Sequence, residues 1–258
     1  MIDTRDTVFD RANSLAINEA REKKIKEVLK ALQALSPVVS AVDMGCGVGI
    51  FSKLLGDLGM EVVGVDGRVE NVTEARRRYP AMRFVTGDVE DAAISGLGSF
   101  DLVLCTGLLY HVENPFRAVR NIVSLIRRYA IVESVVHAGQ RPTAVLFDEC
   151  REVDQGLNYV SLIPSESALA RMFAASGLEY LYRLNPQPDF HEFRGTLLRK
   201  RQRIMLVGSR TPLRLPSLQA IKLAREPYDP WQRSGLLTSM ARLARNMFCS
   251  CGGGNRQE

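Results

Sequence analysis

Long apolar runs are missing from this chain of 258 residues. The stretches Val38–Val42, Glu61–Val65 and Leu102–Leu104 are short, well below the roughly 20 residues of a membrane-spanning helix. Cysteine is sparse and odd in number, five in all, and its spacing gives no disulfide framework. Cys249-Ser250-Cys251 has no further Cys or His near it in sequence, so no metal site is expected there. The opening Met1-Ile2-Asp3-Thr4-Arg5-Asp6 lacks the basic-then-apolar order of a secretory signal, and a soluble protein in a reducing cytoplasm is the expectation. Charge of one sign is missing as well: 34 basic against 29 acidic side chains leave a formal +5. With 46% hydrophobic and 24% charged residues the composition is that of a globular chain, which excludes disorder and collagen-like structure. The basic surplus is local, because residues 211–258 hold seven basic and three acidic side chains.

What is present is an alternation. Between residues 8 and 35, Ala12, Leu15, Ala16, Ile25, Val28, Leu29, Leu32 and Leu35 recur at helical spacing, and Ser36-Pro37 closes the pattern. Buried strands are then expected at 38–43, 61–66, 82–86, 100–105 and 129–135, separated by helices at 49–58, 69–79 and 114–126. Strands alternating with helices at this interval imply βαβ units and a parallel sheet covered on both faces. The stretch 136–164 interrupts the rhythm and reads as an insert that closes over or selects a ligand. A helix at 166–176 and strands at 178–184 and 203–208 complete the pattern. Three parts follow: an N-terminal helical cap over 1–36, a ligand-binding domain over 37–210 with the insert at 136–164, and a basic, partly helical extension over 211–258.

The densest signal is Val42-Asp43-Met44-Gly45-Cys46-Gly47-Val48-Gly49, between a strand and a helix. Three glycines let the backbone turn sharply and approach a ligand with no Cβ in the way. The third glycine comes one place too early for a dinucleotide fold, since Ile50 stands where that fold needs glycine. No Lys-Ser/Thr follows, which argues against a phosphate-cradling loop. Two more acids stand at strand ends. Asp66 closes the second strand, where a carboxylate can accept both hydroxyls of a ribose. Asp88 follows the third strand and can accept from an adenine amine. In an open α/β sheet, all three acids share the carboxyl edge where ligands bind.

With these residues the chain resembles the class I S-adenosylmethionine-dependent methyltransferases over roughly residues 35–210. The resemblance implies a Rossmann-like α/β fold: a seven-stranded, mostly parallel sheet with helices on both faces and an antiparallel last strand. It implies S-adenosylmethionine as cofactor, with S-adenosylhomocysteine as product. Carried over, Asp43, Gly45, Cys46, Gly47 and Gly49 form the loop under the methionine part. Asp66, with Gly67 and Arg68 after it, holds the ribose, and Asp88 with Val89 meets the adenine. Cys105, Thr106 and Gly107 would lie beside the sulfonium. Gly107–Pro115 and Asn158–Ser165 are similar to a bacterial subgroup that includes small-molecule methyltransferases and wobble-uridine tRNA carboxymethyl-transferring enzymes.

A hydroxyl or amine acceptor must lose a proton, which calls for a base. His111, just past the fourth strand, is the first candidate, because histidine titrates near neutrality. His137 and Glu133 are reserves, and Tyr110 would orient a substrate. The insert supplies Arg141, Phe147, Asp148, Glu149, Asn158 and Tyr159 as acceptor-pocket candidates, with Arg141 suited to a carboxylate or phosphate. His191 is a further wall residue. Leu236, Leu237, Met240, Leu243, Ala244 and Met247 share one helical face in the extension, which would pack on the domain or in a homodimer. Arg199–Arg203 is a basic cluster with no aromatic platform beside it, so it reads as a solvated loop, and nucleic acid is not favoured. The expected function is O-methylation of a small molecule with a histidine base. The alternatives are tRNA (carboxy)methyl transfer and a cofactor-binding regulator without turnover.

Overall fold

The computed structural model describes residues 7–195 and 200–223. The amphipathic pattern at 236–247, Cys249 and Cys251 lie outside the described residues, as does Arg199. A short 3-10 turn at Val8–Asp10 precedes α1 (Ala12–Leu35). The alternating part follows: β1 (Ser40–Met44), α2 (Ile50–Asp57), β2 (Glu61–Asp66), α3 (Val69–Arg78), β3 (Arg83–Thr86), β4 (Phe100–Thr106), α4 (Pro115–Leu125) and β5 (Ile126–His137). The insert folds as a hairpin, β6 (Ala144–Asp148) paired antiparallel with β7 (Val160–Pro164). Then come α5 (Glu166–Ala175), β8 (Tyr180–Leu184), β9 (Arg201–Ser209) and β10 (Leu218–Ala220).

The main sheet has eight strands in the order β10-β8-β9-β5-β4-β1-β2-β3. β1 to β5 pair in parallel, and β9 runs antiparallel between β5 and β8. The one strand beyond the expected seven is β10, three residues that extend the edge past β8. β1 sits where the strand order reverses, between β2 and β4, and there the loops after neighbouring strands part to open a crevice.

Period-two alternation divides the core between the two faces. Val103 and Cys105 of β4 face one side with α4 and α5, and Leu102 and Leu104 face the other with α1 and α2. Ile25, Val28, Leu29 and Leu32 of α1 are buried against that second face. The lower edge of β4 is tied by Asp101, which accepts from the Val39 and Ser40 amides and from Arg127. Burial pushes its carboxyl up, but these donors outweigh it and leave it below the usual range.

Candidate functional site

A cavity of about 1450 Å³ opens at the carboxyl ends of β1, β2, β4 and β5. Its floor is the glycine turn after β1. Gly45, Gly47 and Gly49 have φ of 75°, 52° and 88°, the left-handed region where a side chain is strained. The amides of Gly45 and Cys46 donate to the Val65 carbonyl, which pins the turn to β2. The Phe9 ring, from the 3-10 turn at Val8–Asp10, lies over Gly47, where a Cβ would stand 3.0 Å from it. Asp10 anchors that turn through Arg78 at 2.7 Å, and the arginine holds the Asp10 carboxyl well below the usual range.

Asp66 ends β2 beside the turn. Its carboxylate accepts from the Gly47 amide at 2.9 Å, the Arg68 amide at 2.9 Å and the Asn71 side chain at 3.1 Å. That leaves about one of a carboxylate's four acceptor sites for a ligand hydroxyl. Gly67, Arg68, Asp88 and Val89 line the same end of the cavity, and Asp88 also accepts from the Glu90 amide. Asp43 lies fully buried beneath the turn and does not line the cavity. Ser52 donates to its Oδ2 at 2.7 Å, and its Oδ1 has no partner among the described residues. Burial pushes this carboxyl up to about 7, with the nearby Asp66 charge adding to the shift.

Of the other expected cofactor residues, Gly45, Cys46, Gly47, Thr106 and Gly107 line the cavity, whereas Gly49 and Cys105 do not. Gly49 opens α2, and a Cβ there would meet Phe84 at 2.8 Å. Cys105 is enclosed in β4, where burial drives its thiol far above the ordinary range.

His111 follows β4 and lines the cavity. Its Nδ1 is 2.5 Å from Oε1 of Glu149, whose side chain is 2% exposed against 12% for the histidine. The other carboxylate oxygen accepts from the Gly156 amide at 2.7 Å. No described residue hydrogen-bonds His111 Nε2. The insert is drawn down over the crevice by Arg68, which donates to the Gln155 and Gly156 carbonyls, and by Asn71, which donates to Val153. Gly156 is required by close approach, since a Cβ there would fall 2.0 Å from the His111 carbonyl oxygen.

A second cluster forms the wall toward β5 and β9. Glu133 is wholly buried, and its carboxylate takes Arg21 of α1 at 2.7 Å and Arg203 of β9 at 3.1 Å. Burial raises its carboxyl, but the two guanidinium charges prevail and hold it below the ordinary range. Glu133 is therefore a clamp at this wall, already committed to two cations, and not a free base. Arg203 also donates to the Tyr110 hydroxyl at 2.8 Å and pairs with Glu192 at 2.5 Å. The reading of the basic run up to Arg203 as a solvated loop is thus corrected for Arg201–Arg203. These residues open β9, and Arg203 is folded into the cavity wall.

His137 lines the cavity, with its Nε2 engaged by the Thr143 carbonyl and hydroxyl at 3.1 Å, so it fastens the base of the insert. Tyr110, Phe147, Glu149, Asn158 and His191 also line it. Arg141 and Tyr159 do not. The Arg141 carbonyl accepts from Ser165, while the Tyr159 ring lies 5.2 Å from the guanidinium carbon of Arg68 and 5.7 Å from that of Arg151. Asp148, at the end of β6, is likewise absent from the wall. Sequence reasoning missed Arg21, Phe9, Asn71 and the Arg203 role. Arg21 alone carried a signal: it stands four residues from both Ile17 and Ile25, on the buried stripe of α1.

The arrangement suits a nucleoside bearing an amino-acid tail. The glycine turn presents a cradle free of Cβ atoms, Asp66 and Asp88 offer acceptors, and Arg21 keeps a buried Nε–H with no partner among the described residues, a donor that costs free energy until a ligand meets it. Among the described residues no three His, Cys, Asp or Glu side chains are grouped to hold a metal ion. No helix among them is long and apolar enough to cross a membrane.

Residues 42–132 match the family model described as "Methyltransferase domain". The ubiquinone biosynthesis O-methyltransferase of Xanthomonas axonopodis pv. citri is 29% identical over 227 residues, covering 81% of this chain and 80% of the relative. That of Xanthomonas campestris pv. campestris (strain B100) is 27% identical over 213 residues, covering 81% and 74%. The N-terminal domain of EvdMO1, solved with SAH bound, superposes with a TM-score of 0.60 at 20% identity, over 71% of this chain and 79% of that one. CalS10, an amino pentose methyltransferase from Micromonospora echinaspora solved with SAM bound, gives 0.51 at 16% identity, over 78% and 98%. At these identities the structural likeness is one of fold.

Proposed function

We propose that the chain is a class I S-adenosylmethionine-dependent methyltransferase, its residues 42–132 matching a methyltransferase domain, and that it methylates an oxygen of a small-molecule acceptor with His111 as general base. The observation that carries this reading is the His111–Glu149 pair on the cavity wall. A carboxylate beside Nδ1 accepts a hydrogen bond from Nδ1–H, which favours the tautomer in which Nε2 holds a lone pair. Glu149 is itself fixed by the Gly156 amide, so the imidazole is oriented by the insert that covers the crevice. The O-methyltransferase names of the curated relatives favour oxygen as the acceptor atom.

S-adenosylmethionine, when bound, supplies an electrophilic methyl group. The turn at 45–49, Asp66, Asp88 and Arg21 would hold it. His111 Nε2 would take the hydroxyl proton of the acceptor, an assistance typically worth 10²–10⁴-fold in rate. Arg68 and Asn71 hold the insert over the crevice, which limits water and aligns the partners.

The test pairs calorimetric titration of S-adenosylhomocysteine with methyl transfer to a panel of phenols, amines and carbon acids, for wild type and His111→Asn. The expected result is a loss of about 10²–10⁴ in kcat with product affinity within about twofold of wild type. A kcat within threefold of wild type would remove His111 from the base role. Methyl transfer to nitrogen or carbon acceptors alone would remove oxygen.

A further inference from the structure

The cavity is larger than one ligand needs: about 1450 Å³, against 300–1,000 Å³ for a pocket that encloses a drug-sized molecule. The room beyond the glycine turn lies toward β5, β9 and the hairpin of the insert. Charge changes sign along that length. Asp66, Asp88 and Glu90 line the β2–β3 end with Arg68 as the nearby cation. At the β5–β9 end, Arg21 and Arg203 are matched by Glu133 and Glu192. Lys200 and Arg201 line that same end with no acidic partner among the described residues, so the surplus there is positive.

Apolar surface accompanies it. Val145 and Phe147 of β6 line the cavity and remain well exposed, at 49% and 40%. The Arg201 guanidinium carbon stands 5.7 Å from the centre of the Phe147 ring, within the range where a cation is attracted by an aromatic face. Ile163, from the paired strand β7, adds a buried aliphatic wall. An arginine fork beside an aromatic ring, both open to a cavity, matches a flat apolar body that ends in an anion.

We propose that this end of the cavity binds the acceptor as a hydroxyaryl carboxylate, with its ring against Phe147, its carboxylate on Arg201 and Lys200, and its hydroxyl presented to His111. The proposal rests on the O-methylation reading, since it uses His111 as the point where the hydroxyl is met.

The experiment titrates hydroxyaryl acids of increasing length, from 4-hydroxybenzoate to 4-hydroxycinnamate, and their uncharged amides into the full chain with S-adenosylhomocysteine present. Wild type, Arg201→Gln and Arg201→Lys are compared, and methyl ethers formed from S-adenosylmethionine are quantified in parallel. At least one acid is expected to bind tenfold or more tightly than its amide. Arg201→Gln brings that ratio below three, and Arg201→Lys keeps part of it. S-adenosylhomocysteine affinity, within threefold throughout, reports that the variants fold. An acid-to-amide ratio near one in wild type, a ratio unchanged in Arg201→Gln, or no binding of any compound overturns the proposal. Tight, Arg201-dependent binding of an acid with no methyl ether formed upholds the anion site and overturns O-methylation. Equal methylation of acid and amide does the reverse.

Discussion

The two ends of the cavity are built from different materials. At the β1–β3 end the glycine turn itself is held by contacts close in sequence, since Asp66 takes the amides of Gly47 and Arg68, 19 and 2 residues away. The long-range contacts of Arg68 and Asn71 there go to backbone carbonyls of the insert. At the β4–β9 end the polar contacts are made by side chains from distant segments. Arg21 reaches Glu133 across 112 positions, Arg203 reaches Tyr110 across 93, and His111 meets Glu149 across 38. The first end is fixed wherever the strand order reverses and the glycines allow the turn. The second exists only once α1, the insert and β9 have packed. A cofactor common to many enzymes suits the first kind of construction. An acceptor that differs from one enzyme to another suits the second, where single side chains can change without disturbing the turn.

The sharpest way to break this contrast is at the hub of the distant contacts. Removing one partner of a buried ion pair typically costs about 3–5 kcal/mol, because the remaining charge stays buried without compensation. Glu133→Gln leaves Arg21, with its side chain only 9% exposed, without a carboxylate partner among the described residues, while Arg203 keeps Glu192. The expected outcome is a loss of about 3–5 kcal/mol in urea denaturation. A loss below 1 kcal/mol would mean that α1 and β9 hold this wall without Glu133.

The next effect lies beneath the other end and is read from pH. Asp43 has a folded-state pKa of about 7 against an ordinary 3.8, because burial penalises its charged form more than the Ser52 hydrogen bond favours it. A carboxyl raised in the folded state loses its proton first in the unfolded chain. Its contribution is therefore complete below pH 4 and is lost as pH rises toward 7. At 1.36 kcal/mol per unit, a shift of this size corresponds to about 2–4 kcal/mol over that window. Asp43→Asn stays neutral and still accepts from Ser52, so it abolishes this slope. The stability difference between wild type and variant, measured in urea at pH 5 and pH 8, should move by about 2–4 kcal/mol in favour of the variant. A difference that stays constant with pH would show that Asp43 is ionised throughout.

The same contrast explains what could be read from the chain alone. The turn at 45–49 and the acids at 66 and 88 were legible, because strand, glycine spacing and acid lie within one stretch of about 45 residues. The parallel order followed from the alternation, and the boundaries of β2 matched the expected 61–66. β10 was not legible, since three residues carry no periodicity and are held by pairing with β8. The hairpin of the insert was not legible either: every residue of β6 is exposed, so burial imposes no alternation on it. Arg203 was misread because a run of basic residues looks solvated. In β9 it stands two residues before the core residue Met205, on the same face of the strand, and so turns toward α1 and Glu133.

The smallest effect tests whether the legible end does what its geometry suggests. Asp66→Ala removes the acceptor for two loop amides and for Asn71 of α3, as well as any contact to a ribose hydroxyl, so a weakened ligand could reflect a loosened turn. Asp66→Asn is the milder cut, since its one amide oxygen still accepts from the Arg68 amide and the Asn71 side chain, and only the Gly47 contact is lost with the charge. Both variants are expected to weaken S-adenosylmethionine and S-adenosylhomocysteine, Asp66→Ala by at least tenfold, about 1.4 kcal/mol. The factor should be the same for both ligands, because they share the ribose and differ only at sulfur. A loss confined to S-adenosylmethionine would instead assign Asp66 a charge contact with the sulfonium and move the ribose elsewhere along the edge. Unchanged binding of both would put the nucleoside outside the β2 end. Neither variant should alter the acid-to-amide ratio set by Arg201, since that ratio belongs to side chains of the other end.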